Sequence, residues 1–263
     1  MKTGRQGSGA AVILGYHAVS DGAPLRMQSP EQAFYTVEKD SFEAQLDMLQ
    51  REGCRVCLPE QFLEDDLDHA GKTVLITVDD GYESDVAILL PLLLKRSFRA
   101  VFFVCLEFIG KPGYMDWAQI RSLSTAGMSV QSHGLLHHDL TQVSEQDAFH
   151  ELHAARTCLE RNLGKPVRYL ALPGGFASPD VFHAAGRAGY EAVFHSKPGL
   201  AQAGEMLPRF MIRRGTSRRD FEKLIRRRQS FLLLSSLRVR TSEFIKAAVG
   251  VQRYEALKVR FWQ

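Results

Sequence analysis

Val74-Leu75-Ile76-Thr77-Val78-Asp79-Asp80-Gly81-Tyr82 is an apolar, β-branched run that ends abruptly in two adjacent carboxylates and a glycine. A run of this composition and length, closed by a turn residue, reads as a strand buried on both faces. Successive side chains on a strand point to opposite sides, so a regular strand cannot aim Asp79 and Asp80 into one pocket. A bend at Gly81 is expected to do so. Two carboxylates held together raise one another's pKa, and a bound cation is one way to keep both ionised. A second strand-like segment ends in Ser132-His133-Gly134-Leu135-Leu136-His137-His138, which offers two or three imidazoles to that cation. One carboxylate with two histidines forms a facial set that leaves coordination positions open.

Outward from this run, short β-branched or aromatic segments alternate with amphipathic helical stretches, the pattern of βα units around a mostly parallel sheet. Strands are expected at 11–16, 54–58, 74–79, 100–106, 128–132, 167–172, 191–196 and 209–214, the count of a (β/α) barrel. Asp40 with Glu43 has capping-box spacing ahead of the Phe42, Leu46, Leu49 face, and Gly53 stops that helix. Ser144 opens a helix striped by Phe149, Leu152, Leu159 and Leu163 and ended by Gly164, and Ser178-Pro179 opens another. Residues 18–40 lack periodicity and are expected to form a long loop beside the site. The predicted fold is α/β: an irregular (β/α) barrel of seven to eight mostly parallel strands over residues 1–230, with basic C-terminal helices over 231–263.

The 263 residues are 45% hydrophobic, enough for one large core, and the net charge of +3 hides an asymmetry. From Met206 onward there are 15 Lys and Arg against 4 Asp and Glu, whereas residues 1–205 carry 18 against 26. Such a basic end can seek an anionic membrane or an acidic partner. Its aromatics stand at helical rather than stacking-platform spacing, so no nucleic acid partner is expected. Four cysteines in a chain this long do not make a disulfide scaffold, and Cys54 and Cys57 read as packing thiols in a reducing compartment. The apolar run Ala10 to Tyr16 behind Lys2 and Arg5 reads as the first strand rather than a signal peptide. No stretch approaches the roughly 18 to 20 apolar residues that cross a bilayer. The expected location is cytoplasmic, peripheral to the inner membrane face.

In barrels of parallel strands the carboxyl ends converge on one face, where active sites are built. Tyr16-His17 follows the first expected strand, Asp79-Asp80 the third, and His133 with His137 the fifth. Pro173-Gly174-Gly175 ends the sixth, where backbone N–H groups can approach a ligand closely and serve as an oxyanion hole. His69, His150, His153, His183 and His195 are read as structural or surface residues.

The run Thr77-Val78-Asp79-Asp80-Gly81 resembles the Thr-Phe-Asp-Asp-Gly motif of the polysaccharide deacetylases, the carbohydrate esterases of NodB-homology type. His133-Gly134-Leu135-Leu136-His137 resembles their His-(Ser/Thr)-x-x-His motif, and Leu172-Pro173-Gly174-Gly175 a degenerate Pro-Tyr-Gly motif. The opening Tyr16-His17-Ala18-Val19 is similar to the Tyr-His-x-Val of the circularly permuted poly-N-acetylglucosamine deacetylase branch. The resemblance, over residues 11 to 225, implies one divalent metal, usually zinc, on Asp80, His133 and His137, with His138 the alternative to His137. It implies Asp79 as general base and His17 as the acid that protonates the leaving amine. The family's arginine before the Pro-Tyr-Gly motif is absent, since Ala171 and Leu172 stand there, and Arg209 is the candidate replacement. The implied activity is removal of N-acetyl groups from an amino-sugar glycan or a lipid-linked saccharide. The rival readings are a metal-independent amide or cyclic-imide hydrolase on the same fold and an inactive glycan-binding assembly subunit.

Overall fold

The sheet is built outward from the strand that opens at Thr73. The computed structural model describes residues 9–22, 29–64 and 72–235. Its strands are β1 (Ala11–Tyr16), β2 (Val19–Ser20), β3 (Val37–Glu38), β4 (Arg55–Val56), β5 (Thr73–Asp80), β6 (Val101–Val104), β7 (Ser129–Ser132), β8 (Tyr169–Ala171), β9 (Ala192–His195), β10 (Met206–Pro208) and β11 (Phe210–Met211). Its α-helices are α1 (Pro30–Tyr35), α2 (Lys39–Arg51), α3 (Pro59–Glu64), α4 (Leu90–Leu94), α5 (Trp117–Thr125), α6 (Glu145–Leu163), α7 (Pro179–Arg187) and α8 (Arg218–Ile225). The main sheet runs β10-β9-β8-β7-β6-β5-β1-β11, with β4 added beside the start of β5, and its pairings are parallel. No helix of the described residues is long and apolar enough to cross a membrane.

The barrel is nearly closed, and one segment spans the seam. Met206 to Met211 pairs with β9 through its first half and with β1 through its second, changing partner at Arg209. The eighth expected strand, 209–214, is thus replaced by two short pieces that begin earlier and turn about the residue at its proposed start. An antiparallel bridge between Ala11 and Ala201 adds to the closure.

Period-two alternation divides the core. Ala11 and Ile13 of β1, Leu75 of β5, Val101 and Phe103 of β6, Ala171 of β8, Phe194 of β9 and Leu207 pack together inside the barrel. Val12 and Leu14, Val74, Ile76 and Val78, and Phe102 and Val104 face the other way, against Phe42 and Leu46 of α2 and Leu92 and Leu93 of α4. Every residue of β5 is buried, which is why its sequence is a continuous apolar run rather than an alternating one. By this register Thr77 and Asp79 share the interior face with Leu75.

The helices follow their caps in two of three cases. Ser144 caps α6 through the Asp147 N–H, and Gly164 ends it in the left-handed region. Ser178 caps α7 with Pro179 at the first turn. By contrast α2 starts at Lys39 with Glu38 at its N-cap and no side-chain cap, so Asp40 lies inside the first turn and not at a capping box with Glu43. The loop expected over 18–40 contains structure: β2 pairs with β3, and Ser29 with Gln32 forms a capping box on α1. Both are too short for periodicity to reveal. The C-terminal extension lies, beyond residue 235, outside the described residues.

Candidate active site

Asp79 continues the interior face, and its carboxylate meets Arg209 from the seam in a two-pronged ion pair of 2.7 and 2.8 Å. Arg209 is fully buried and Asp79 nearly so. The guanidinium also donates to Thr77 Oγ1 at 3.2 Å, and that hydroxyl donates to the Leu14 carbonyl at 2.9 Å. Burial raises the Asp79 carboxyl, but the Arg209 charge outweighs it and the net shift is downward. A buried pair of this kind orients rather than merely neutralises, because both guanidinium forks fix the carboxylate plane.

Asp80 belongs by parity to the outer face. Its backbone takes φ +77°, and Gly81 follows at +90°. The bend therefore begins one residue earlier than Gly81, at the carboxylate itself. A positive φ on a non-glycine residue costs free energy, which the surrounding strand must offset. The turn brings Asp80 Oδ1 to 3.3 Å from Nε2 of His133 and 3.3 Å from Nε2 of His137. These three side chains alone, among the described residues, group as ligands for a metal ion.

The tautomer of His133 follows from its partner. Its Nδ1 lies 2.8 Å from the Ala171 carbonyl, which can only accept, so Nδ1 carries a proton and Nε2 is the ring atom turned toward Asp80. Asp80 Oδ1 is buried and accepts no hydrogen bond. One carboxylate oxygen and two imidazole nitrogens thus converge, an arrangement that a cation between them satisfies. The donor set of one carboxylate oxygen and two imidazole nitrogens fits a divalent metal. Burial raises the Asp80 carboxyl, but the two imidazoles outweigh it and hold it well below the usual range. His138 does not join the set: its Nε2 is bound to Glu151.

His17, after β1, lines the same cavity of about 210 Å3, with Asp79, Asp80, His133, His137 and Gly174. Its ring stacks on Tyr35 of α1 at 4.7 Å, and its buried Nδ1 has no partner. Burial pushes the imidazole pKa down against the opposing pull of Asp80 and Asp79.

The glycine-rich turn offers less than expected. Pro173 has no N–H, and the Gly175 N–H donates to the Leu172 carbonyl at 2.8 Å. Of the three residues named for an oxyanion hole, Gly174 is left. Its φ is +65°, and that of Gly175 is +72°.

Sequence reading missed several residues of this cavity. Leu172 and Met211 line it as apolar walls. Tyr82, Tyr114 and Phe108 form a stack, with centroids 4.8 and 4.5 Å apart, and Gln32 of α1 donates to the Tyr114 hydroxyl at 2.9 Å. Aromatic residues in turns carry no periodic signal, so only the folded loops bring them together.

Fold and site together define a (β/α) barrel with a carboxylate-imidazole centre at the carboxyl ends of its strands. Residues 66–193, a little under half of the chain, match the polysaccharide deacetylase family model. Over 192 residues the chain is 27% identical to YxkH of Bacillus subtilis (strain 168), provisionally named a polysaccharide deacetylase; the match covers 72% of this chain and 65% of that protein's length. Among solved structures, the Streptococcus pyogenes deacetylase PplD, determined with acetate, superposes with a TM-score of 0.72 at 26% identity over 83% of this chain and 98% of its own. IcaB from Ammonifex degensii shares the fold, with a TM-score of 0.67 at 24% identity over 82% of this chain and 96% of its own.

Proposed function

We propose that this protein is a metal-dependent hydrolase that removes N-acetyl groups from amino-sugar residues of a polysaccharide or saccharide precursor. The observation that carries the reading is the convergence of Asp80 Oδ1 with the Nε2 atoms of His133 and His137, 3.3 Å from each, beside a base already clamped by Arg209. The family match and the likeness to deacetylases support it.

Asp80, His133 and His137 would hold one divalent cation, zinc by its preference for such ligands. When bound, the cation lowers the pKa of water toward about 7 and polarises the amide carbonyl. Asp79 is held ionised by Arg209 and accepts the proton of the attacking water. The Arg209 fork prevents its carboxylate from turning into the ligand set, so the two aspartates keep separate roles. Gly174, on the cavity wall, is the residue left to offer an N–H to the carbonyl oxygen as negative charge develops there. His17 donates a proton to the leaving nitrogen, and Tyr35, stacked on its face, keeps the ring aimed into the cavity. Leu172 and Met211 give the acetyl methyl an apolar wall. Tyr82, Tyr114 and Phe108 add aromatic surface to the cavity wall.

The Arg209–Asp79 pair answers one of the two departures behind the reading as an inactive subunit, since a positive partner for the base is present despite Ala171 and Leu172, while Gly174 stands where the motif has its tyrosine. The reading is tested by acetate release from N-acetylglucosamine oligosaccharides by the zinc-supplemented protein, with Asp79→Asn as control. Release by the parent and none above background by the variant is expected. Equal release by both would remove Asp79 from the reaction.

A further inference from the structure

The loop after β7 presents two consecutive imidazoles, His137 and His138, to a site that uses one of them. We propose that Glu151 of α6 is a positioning residue that braces this loop so that His137, and not His138, faces Asp80 and His133. The inference rests on the metal reading above.

Glu151 uses both carboxylate oxygens on this loop. Its Oε1 accepts the Leu136 N–H at 3.1 Å, on the residue before His137, and its Oε2 binds the ring of His138, on the residue after. The Glu151 side chain is only 10% exposed, and Ala148, Leu152 and Ala155 anchor the surrounding turns of α6 in the core. The brace therefore stands on a rigid element. A second carboxylate closes the opposite side: Glu107 accepts the His137 N–H at 3.3 Å and is itself held by Lys111 at 3.1 Å. The Glu107 N–H donates to the Leu135 carbonyl at 2.9 Å, and the His138 N–H turns back to the Leu136 carbonyl at 3.0 Å. Gly134, at φ +82°, starts the loop in a backbone conformation that side chains rarely adopt. With His138 Nε2 spent on Glu151, the swap between adjacent histidines is blocked by a hydrogen bond rather than by distance. Outer partners of this kind fix the orientation of a ligand and are typically worth about 10- to 100-fold in metal affinity.

The test compares zinc affinity, by competition with a chromophoric chelator, for the parent, Glu151→Ala, Glu151→Gln, His138→Ala and His137→Ala, and measures amide exchange at Leu136 by NMR in chelator-treated protein. Glu151→Ala is expected to weaken zinc binding by about 10- to 100-fold and to speed exchange at Leu136. Glu151→Gln is expected to stay near the parent, because the amide oxygen still accepts from Leu136 and the amide nitrogen donates to His138. His138→Ala is expected to bind zinc far better than His137→Ala. Loss of zinc in His138→Ala equal to that in His137→Ala, or parental affinity and exchange in Glu151→Ala, overturns the proposal. Slow exchange at Leu136 in the parent supports the brace without any variant, and free exchange there overturns it. A parent that binds no zinc but protects Leu136 retains the brace and sinks the metal reading, so the two failures are separable.

Discussion

Asp79 and Asp80 are neighbours in the chain and opposites in surroundings. One is locked to a guanidinium, the other faces two imidazoles. Asp79→Asn should therefore reduce turnover by at least the roughly 10² to 10⁴ of a lost general base while leaving zinc bound, whereas Asp80→Asn should weaken zinc binding; interchanged effects in metal analysis and rate would reverse the assignment. Arg209→Met would leave the Asp79 charge buried and alone, a change that costs about 3–5 kcal/mol. Denaturant unfolding should show that loss, and Asp79→Asn added to Arg209→Met should recover part of it. A third carboxyl, Asp85, is fully buried with neither oxygen hydrogen-bonded. Burial first, then the charges of Asp80 and Asp79, pushes its pKa well above the ordinary value. Below about pH 4 both folded and unfolded chains hold this proton. As pH rises further the unfolded chain releases it and the folded chain does not, so this group lowers stability progressively until its folded pKa is reached. Asp85→Asn should therefore gain stability relative to the parent as pH rises from about 4 toward neutrality; a difference in unfolding free energy independent of pH would show that Asp85 is ionised in the fold.

At the scale of elements, the site depends on strands that leave regular geometry at their ends. β5 turns at Asp80, and the turn after β8 takes left-handed conformations at Gly174 and Gly175. A Cβ at Gly175 would collide with Ser196 Oγ and stand 2.9 Å from its backbone nitrogen. Gly175→Ala should thus cost about 1–3 kcal/mol and impair catalysis. Gly186→Ala in α7, where a Cβ meets nothing within 4 Å, should instead stabilise by about 0.5–1 kcal/mol; thermal melts of the two variants check the contrast. The same ends explain what the sequence made legible. β1 was readable to the residue because an apolar run stops at Tyr16-His17, and β5 differed only by a residue at each end. The seam strand was misplaced because Arg209, a charged residue, looks like a boundary, whereas it is the interior residue at which the segment changes partners. The π-helical turn Asp85–Leu89 before α4 has no sequence signal that separates it from an α-helix. Glu151 was invisible for another reason: a glutamate at the edge of an amphipathic helix reads as solvated until the loop it braces is in place.

At the scale of the whole molecule, the (β/α) barrel gathers groups that are far apart in the chain, from His17 to Arg209, at the carboxyl ends of β1, β5, β7 and the seam. Each motif alone reads equally well as a turn or a cap, and their convergence on one cavity is what defines the chemistry. On the proposed function, this convergence forms a hydrolytic centre that works through a divalent cation. Acetate release from N-acetylglucosamine oligosaccharides by chelator-stripped protein, measured before and after addition of one equivalent of zinc, tests it most directly. Negligible release before addition and restored release after it are expected. Undiminished release by protein shown by elemental analysis to carry no metal would contradict that function.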